Sequence, residues 1–240
     1  MTTTPKPGTL YGVGVGPGAP DLLTLRAVSV LQKTHVVLAA ASTKNEYSTA
    51  LEIARPHLPE GARIVRLAFP MTHDEKALAL AWEENARIAA SCLEAGDDAV
   101  FLTLGDPLIY STFGYLMRTV NALFPHIPVA VVPGVTSFQA AAAATRTVLC
   151  EKDENFLLLP GVMDEEALRA DLRLGDNAAI LKAYKTLPMI QAVLASEKDP
   201  KDALFVSRLG LDGEVIAPAE QAPASPNYLS LILATKKNRV

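Results

Sequence analysis

The chain has 240 residues, of which 50% are apolar and 20% charged, enough to bury one large core or two moderate ones without disulfide or metal staples. A net charge of −4 gives no overall attraction to nucleic acid. No run approaches the ~18 uninterrupted apolar residues of a membrane span, so a soluble, unprocessed, cytoplasmic protein is expected. Cys92 and Cys150 form no Cys-x-x-Cys pair or cysteine–histidine cluster, which excludes a disulfide framework and predicts no metal.

In chain order, Thr9–Val15 reads as the first buried strand. It runs into Gly-Val-Gly-Val-Gly-Pro-Gly-Ala-Pro, Gly12–Pro20. The spacing of Gly14, Gly16 and Ala19 formally meets the dinucleotide fingerprint. A nicotinamide site also wants an acidic residue at the end of the next strand. That strand, His35–Ala40, ends among alanines, and Pro17 and Pro20 remove two amide donors from the turn. The glycines then serve either a tight turn or a different ligand. Arg63–Phe69 is the third strand, and a long helix is expected over His73–Ala95, with Asp74 and Glu75 at its start and Gly96 past its end.

The fourth strand, Ala99–Leu104, stops at Gly105-Asp106-Pro107. Asp106 either caps a helix starting near Leu108 or accepts hydrogen bonds from a ligand, and the hydroxyls of Tyr110, Ser111 and Thr112 add to a polar wall. The fifth strand, Pro128–Val132, leads into Pro133–Ser137, where Thr136 and Ser137 either cap the next helix or touch a ligand. The hinge is expected near Gly134, dividing an N-terminal domain, 1–134, from a C-terminal one, 135–240. The alanine run Ala140–Ala144 predicts tight helix packing. Strands at Phe156–Leu159, Ala178–Leu181, Ala203–Ser207 and Tyr228–Ala234 follow, with a helix from Asp164 and a turn at Leu211–Gly213. Strand–helix–strand alternation predicts an α/β fold of two α/β domains, the first built on a doubly wound parallel sheet. In such sheets ligands gather beyond the carboxyl ends of the strands, where all three loops fall.

Taken together, Gly-Val-Gly-Pro-Gly followed by Asp21–Ala27, Gly105–Pro107 and Pro133–Ser137 resemble the tetrapyrrole methylase family over nearly the whole chain. Within it, Phe69–Thr72, Trp82, Tyr110–Phe113 and Tyr228–Leu231 are most like the enzymes that methylate C20 of precorrin-2 or cobalt-factor II in cobalamin synthesis. Two residues depart from the family pattern: Ala19, where relatives more often carry an acid, and Tyr184, where some present a methionine to the cofactor's adenine.

The resemblance implies a homodimer that binds S-adenosylmethionine in the cleft between its domains. It places cofactor contacts on Pro17, Leu104, Gly105, Asp106, Ile109, Thr112, Thr136, Ser137, Tyr184 and Leu209, with Pro17 near the transferring methyl. It makes Gly14, Gly16, Pro17 and Gly18 part of the floor for a small-molecule tetrapyrrole, whose carboxylates the loop amides would meet as a backbone nest. For the proton lost after methylation, Tyr110 and Asp106 are the candidate bases, Asp106 being also a cofactor contact. Lys44, Arg66 and Lys185 are candidates for the substrate's carboxylates. The four histidines read as surface or packing residues. The alternatives are another ring position, C11, C17 or that of uroporphyrinogen III, or a macromolecule methyltransferase of the same fold. The latter predicts a broad basic face that the charge distribution does not offer.

Overall fold

The computed structural model describes residues 6–41 and 48–237, so Lys44 lies outside the described residues. The chain divides into two compact units, Met1–Thr136 and Ser137–Val240.

The first unit is built on five strands, β1 (Leu10–Gly14), β2 (Val36–Ala41), β3 (Arg63–Ala68), β4 (Ala99–Thr103) and β5 (Val129–Val132). They are ordered β3-β2-β4-β1-β5, and every pairing is parallel. Four helices, α1 (Leu25–Leu31), α2 (Thr49–Ala54), α3 (Glu75–Glu94) and α4 (Phe113–Leu123), cover it.

Strand side chains alternate between two cores, as a period of two dictates. Leu10, Leu38 and Phe101 meet Ala86, Ala89 and Leu93 of α3 and Phe113, Leu116 and Val120 of α4. Val13, Val37, Val100 and Leu102 meet Ala27 and Leu31 of α1 and Leu51 and Ala54 of α2. Both faces are therefore apolar, which is why the strands read as continuous apolar runs. Phe101 lies at the centre of the first core, 5.9 Å from the Phe69 ring, edge to face, and 5.7 Å from Phe113.

Helix starts follow side-chain capping. Thr24 accepts from the Ala27 amide, Ser48 from Leu51, and Asp74 from both Lys76 and Ala77. The long helix thus begins at Glu75 with Asp74 as its cap, two residues inside the expected start. Replacing Asp74 with alanine is expected to cost about 1 kcal/mol, read as a lower denaturant midpoint with an unchanged slope.

One expected boundary is corrected. No helix starts near Leu108: α4 begins at Phe113. Asp106 does accept from the Leu108 amide at 2.8 Å, but Tyr110 then takes a left-handed φ of 48°, which interrupts any helical run. The Phe113 amide is instead met by the Ser111 hydroxyl at 3.1 Å.

The second unit holds β6 (Phe156–Leu159), β7 (Asn177–Leu181), β8 (Lys201–Ser207), β9 (Val215–Pro218) and β10 (Ser230–Lys236), with α5 (Ser137–Thr145), α6 (Glu165–Leu174) and α7 (Leu187–Ser196). The order is β6-β7-β10-β8-β9. Only β6 and β7 are parallel, and the other pairings are antiparallel.

Leu168 of α6 and Ile190 and Val193 of α7 pack on Ala178, Ile180, Phe205 and Ile232. Ala141 and Ala142 of α5 pack on Ala179, Val206, Leu231 and Leu233. In the alanine run only Ala140–Ala142 are buried, while Ala143 and Ala144 face out, so tight packing holds for the first three of its five residues. Strand β9 was not expected. It is four residues long and carries a proline, and it pairs as the sheet's edge, where a missing amide is tolerated.

Candidate functional site

In the first unit the loops after β4, β1 and β5 lie side by side, because those strands are neighbours in the sheet. The chain leaves β1 toward the face covered by α1 and α2, and leaves β4 toward the face covered by α3 and α4. Adjacent strands whose connections depart to opposite faces open a crevice at their carboxyl ends.

Three glycines bring the loops together. A methyl group on Gly134 would lie 2.1 Å from the Gly105 carbonyl oxygen and 2.8 Å from the Gly14 Cα, and one on Gly14 would lie 2.6 Å from the Gly134 nitrogen. Only bare main chain fits. Gly16 and Gly105 form a short antiparallel bridge, the Gly105 amide donating to the Gly16 carbonyl at 2.7 Å. Gly105 itself has φ +74°, and a methyl there would meet no atom within 4 Å. The space beside this stretch of main chain is therefore open, which is what close approach of a ligand requires.

Asp106 fastens the arrangement. One carboxylate oxygen accepts from the Leu108 amide of its own loop, and the other accepts from the Gly134 amide, 28 residues on, at 3.1 Å. The cap reading of Asp106 fails, since no helix starts at Leu108, and the structure adds a role that the sequence did not suggest. Its carboxylate ties the β4 loop to the β5 loop. Taking up a proton would weaken both bonds to the anion, which argues against Asp106 as the base.

The glycine loop is buried at Gly14, Gly16, Pro17 and Gly18. The Val15 and Gly16 amides are occupied by the Thr103 and Gly105 carbonyls. The nest expected from sequence therefore narrows to the amides of Gly18 and Ala19. Along the β4 loop, Leu108, Ile109 and Tyr110 are exposed, Tyr110 at 53%. A non-glycine aromatic held at φ 48° is strained backbone of the kind that clusters at functional sites. Thr103 and Ser111 share a hydroxyl–hydroxyl hydrogen bond at 3.1 Å beneath it. Leu104 and Thr112 flank this loop, and Thr136, 8% exposed, ends the β5 loop.

Ser137 and the remaining two predicted contacts belong to the second unit. Ser137 opens α5. Strands β6, β7 and β8 end at one edge of the second sheet, where β10 begins. The edge carries Tyr184, in the 3-10 turn Ala183–Lys185, together with Leu209 and Tyr228. The Tyr184 and Tyr228 rings meet edge to face at 5.4 Å, and the Lys185 ammonium lies 5.7 Å from the Tyr184 ring. Burial raises the Tyr228 hydroxyl's pKa, Tyr184 adds to the rise, and Lys185 opposes it. Lys182 and Arg208, each the first residue past its strand, take left-handed φ values of 54° and 53°, turning the chain sharply at both strand ends. The Thr186 hydroxyl donates to the Val162 carbonyl at 2.7 Å and ties the β6 and β7 loops.

Of the candidate cations, Lys185 flanks this edge. Arg66 does not follow a strand end: it is exposed in the middle of β3, an outer strand of the first sheet. Neither the Asp106–Gly134 tie nor the Gly14–Gly134 contact was legible in sequence, since each joins residues far apart along the chain. Among the described residues no cluster of three metal-ligating side chains exists, and no helix is long and apolar enough to cross a membrane.

The family model for Tetrapyrrole (Corrin/Porphyrin) Methylases matches residues 9–222. The chain is 33% identical over 207 residues to a cobalt-precorrin-2 C(20)-methyltransferase of Salmonella typhimurium, covering 86% of each. It is 30% identical over 239 residues to a precorrin-2 C(20)-methyltransferase of Sinorhizobium sp, covering 94% of each. Its fold is similar to that of a uroporphyrin-III C-methyltransferase from Thermus thermophilus complexed with S-adenyl homocysteine, with a TM-score of 0.65, 24% identity, and coverage of 95% of this chain and 97% of that one.

Proposed function

The chain belongs to the tetrapyrrole methylase family, and from that premise we propose that it transfers a methyl group from S-adenosylmethionine to C20 of precorrin-2 or its cobalt-containing form in cobalamin synthesis. The observation that carries this reading is the similarity to C20-methyltransferases over most of both chains. The open main chain at Gly105 and the strained β4 loop fit a bound cofactor, since both sit where a parallel sheet receives ligands.

S-adenosylmethionine supplies an electrophilic methyl carbon on a sulfonium, so neither a metal nor a covalent enzyme intermediate is required. The protein's part is then position and exclusion of water. Holding the C20 carbon about 3–3.5 Å from the methyl, in line with the departing sulfur, supplies several kcal/mol of barrier lowering. The tied loops after β4, β1 and β5 provide a rigid frame for that geometry. Since the Gly105 carbonyl is taken by the Gly16 amide, the β4-loop dipole we assign toward the positive charge is that of the Leu104 carbonyl. Pro17 lies in the buried β1 loop, and we assign it to the methyl's neighbourhood.

Leu104, Gly105, Ile109, Thr112 and Thr136 of the first unit, and Ser137, Tyr184 and Leu209 of the second, are our proposed cofactor contacts. Gly14, Gly16, Pro17 and Gly18 are assigned to the tetrapyrrole. Asp106 serves this site by holding the loops together. Tyr110, exposed on the β4 loop, is our proposed relay for the proton that leaves C20, its phenol oxygen accepting that proton as its own O–H passes to water. We also take the enzyme to act as a homodimer in the cytoplasm, as the family resemblance implies.

Incubating the protein anaerobically with methyl-labelled S-adenosylmethionine and, in separate reactions, precorrin-2, cobalt-factor II and uroporphyrinogen III tests the activity. Label at C20, located by NMR, is the expected result, and the preferred substrate decides the cobalt question. Label at another carbon, or on none of the three, overturns the reading.

A further inference from the structure

An aromatic stack on the first unit lies outside both of its cores. Trp82 of α3 and Tyr115 of α4 stack with ring centroids 4.5 Å apart and planes 10° from parallel. The Arg118 guanidinium lies over the Tyr115 ring, 5.1 Å from its centroid. Phe113, Leu116 and Val120 turn one side of α4 to the core. Tyr115 and Arg118, three residues apart, share its outer side, where Tyr115 is 41% exposed and Arg118 is exposed.

Local electrostatics do not account for this cation. Helical side chains lean back toward the N-terminus of their helix, and a methyl group on Gly114 would lie 3.5 Å from an Arg118 guanidinium nitrogen. The charge therefore sits over the first turn of α4, next to the β4 loop with Tyr110 and Thr112, at the carboxyl end of the sheet. The helix dipole favours cations at the opposite end of a helix. Glu83 and Glu84, which follow Trp82 in the chain, engage Arg87 at 2.9 and 3.9 Å. Among the described residues no carboxylate pairs with Arg118. A guanidinium held over a ring keeps N–H donors for a planar anion.

We propose that Arg118, held on the Trp82–Tyr115 stack, binds a carboxylate arm of the tetrapyrrole and so orients the macrocycle over the site. Tyr115 stands three residues beyond Thr112, about 4.5 Å along a helix axis, so the stack borders the crevice at the strand ends. A macrocycle that presents C20 to the methyl carries carboxylate arms on the two rings flanking that carbon. Such an arm calls for a cation at the rim of the crevice, which is the position Arg118 holds and Arg66, in the middle of an outer strand, does not. A guanidinium grips a carboxylate through two parallel bonds and fixes its direction as well as its distance. This deepens the proposed function and rests on its assignment of a tetrapyrrole substrate.

Steady-state kinetics on the full chain test it, using whichever of precorrin-2 and cobalt-factor II the wild type methylates. Binding is titrated in parallel through the emission of Trp82, the chain's one tryptophan. Arg118→Gln is expected to raise KM and Kd for the tetrapyrrole about tenfold and to leave KM for S-adenosylmethionine as it is. Arg118→Lys should recover part of that affinity, since an ammonium keeps the charge and loses the fork. Tyr115→Leu, which removes the ring and keeps the charge, should raise the tetrapyrrole KM about twofold to fivefold. The Arg118 variants should melt at the wild-type temperature. A merely structural stack would lower the melting temperature with the tetrapyrrole KM unaltered, and that result overturns the proposal. So does a loss of affinity shared equally by both substrates. An active wild type beside an Arg118→Gln enzyme of unaltered tetrapyrrole KM overturns the role of Arg118 alone. No methyl transfer by the wild type overturns the proposed function and this inference with it.

Discussion

Gly134→Ala is expected to lower kcat/KM for methyl transfer at least about a hundredfold and to destabilise the first unit. The added methyl would lie 2.1 Å from the Gly105 carbonyl oxygen and 2.8 Å from Gly14 main-chain atoms. These are backbone atoms, so no rotamer change relieves the clash, and the β5 loop must move away from the β4 and β1 loops. Overpacking of this kind costs about 1–3 kcal/mol. The catalytic loss is larger, because a displacement of about 1 Å in a framework that positions reactants can cost 100-fold in rate.

Gly105→Ala is the informative partner. Its φ of +74° makes alanine strained by roughly 1–2 kcal/mol, yet its methyl would touch nothing within 4 Å. That variant should fold, and its defect should fall on the affinity for S-adenosylmethionine. Steady-state kinetics and thermal melting of both variants check the pair. Equal, modest defects in the two would show that the three-glycine contact does not set the geometry of the site.

Asp106→Ala is expected to reduce kcat by about 100-fold and to lower stability by about 1–3 kcal/mol, since the Leu108 and Gly134 amides both lose their carboxylate acceptor. Asp106→Asn should recover only part of this. Its one carbonyl oxygen can serve one of the two amides, while its NH2 group faces the other. The shape of the pH–rate profile separates positioning from base catalysis. If Asp106 only ties the loops, the asparagine enzyme is slower at every pH and keeps the profile of the wild type. Loss of the acidic limb in that variant would make Asp106 the proton acceptor, and the geometric argument against it would fail.

The first sheet was legible because its three inner strands, β2, β4 and β1, are buried on both faces. Continuous apolar runs such as Ala99–Leu104 leave little room for another reading, and the turn residues that end them mark the loops. The second sheet was harder. Its mostly antiparallel pairing joins strands distant along the chain and has no local signature, and Val215–Pro218, on the edge, carries a proline that counts against a strand. The start of α4 was misplaced because Asp106 and Pro107 are good helix-opening residues, while the left-handed turn at Tyr110 that delays the helix has no glycine to announce it.

At the site, sequence supplied the three loops and their order through recurrent glycines, Gly105–Pro107 and Pro133–Ser137, and with them the resemblance to the tetrapyrrole methylases. It could not supply which loop touches which. Helix or strand character and turn chemistry are set by neighbours in the chain, so they are written locally. The contact of Gly14 with Gly134 and the carboxylate bridge from Asp106 to the Gly134 amide both depend on strand order and register. Those are fixed only when distant segments pack together, and there the tertiary structure alone decides.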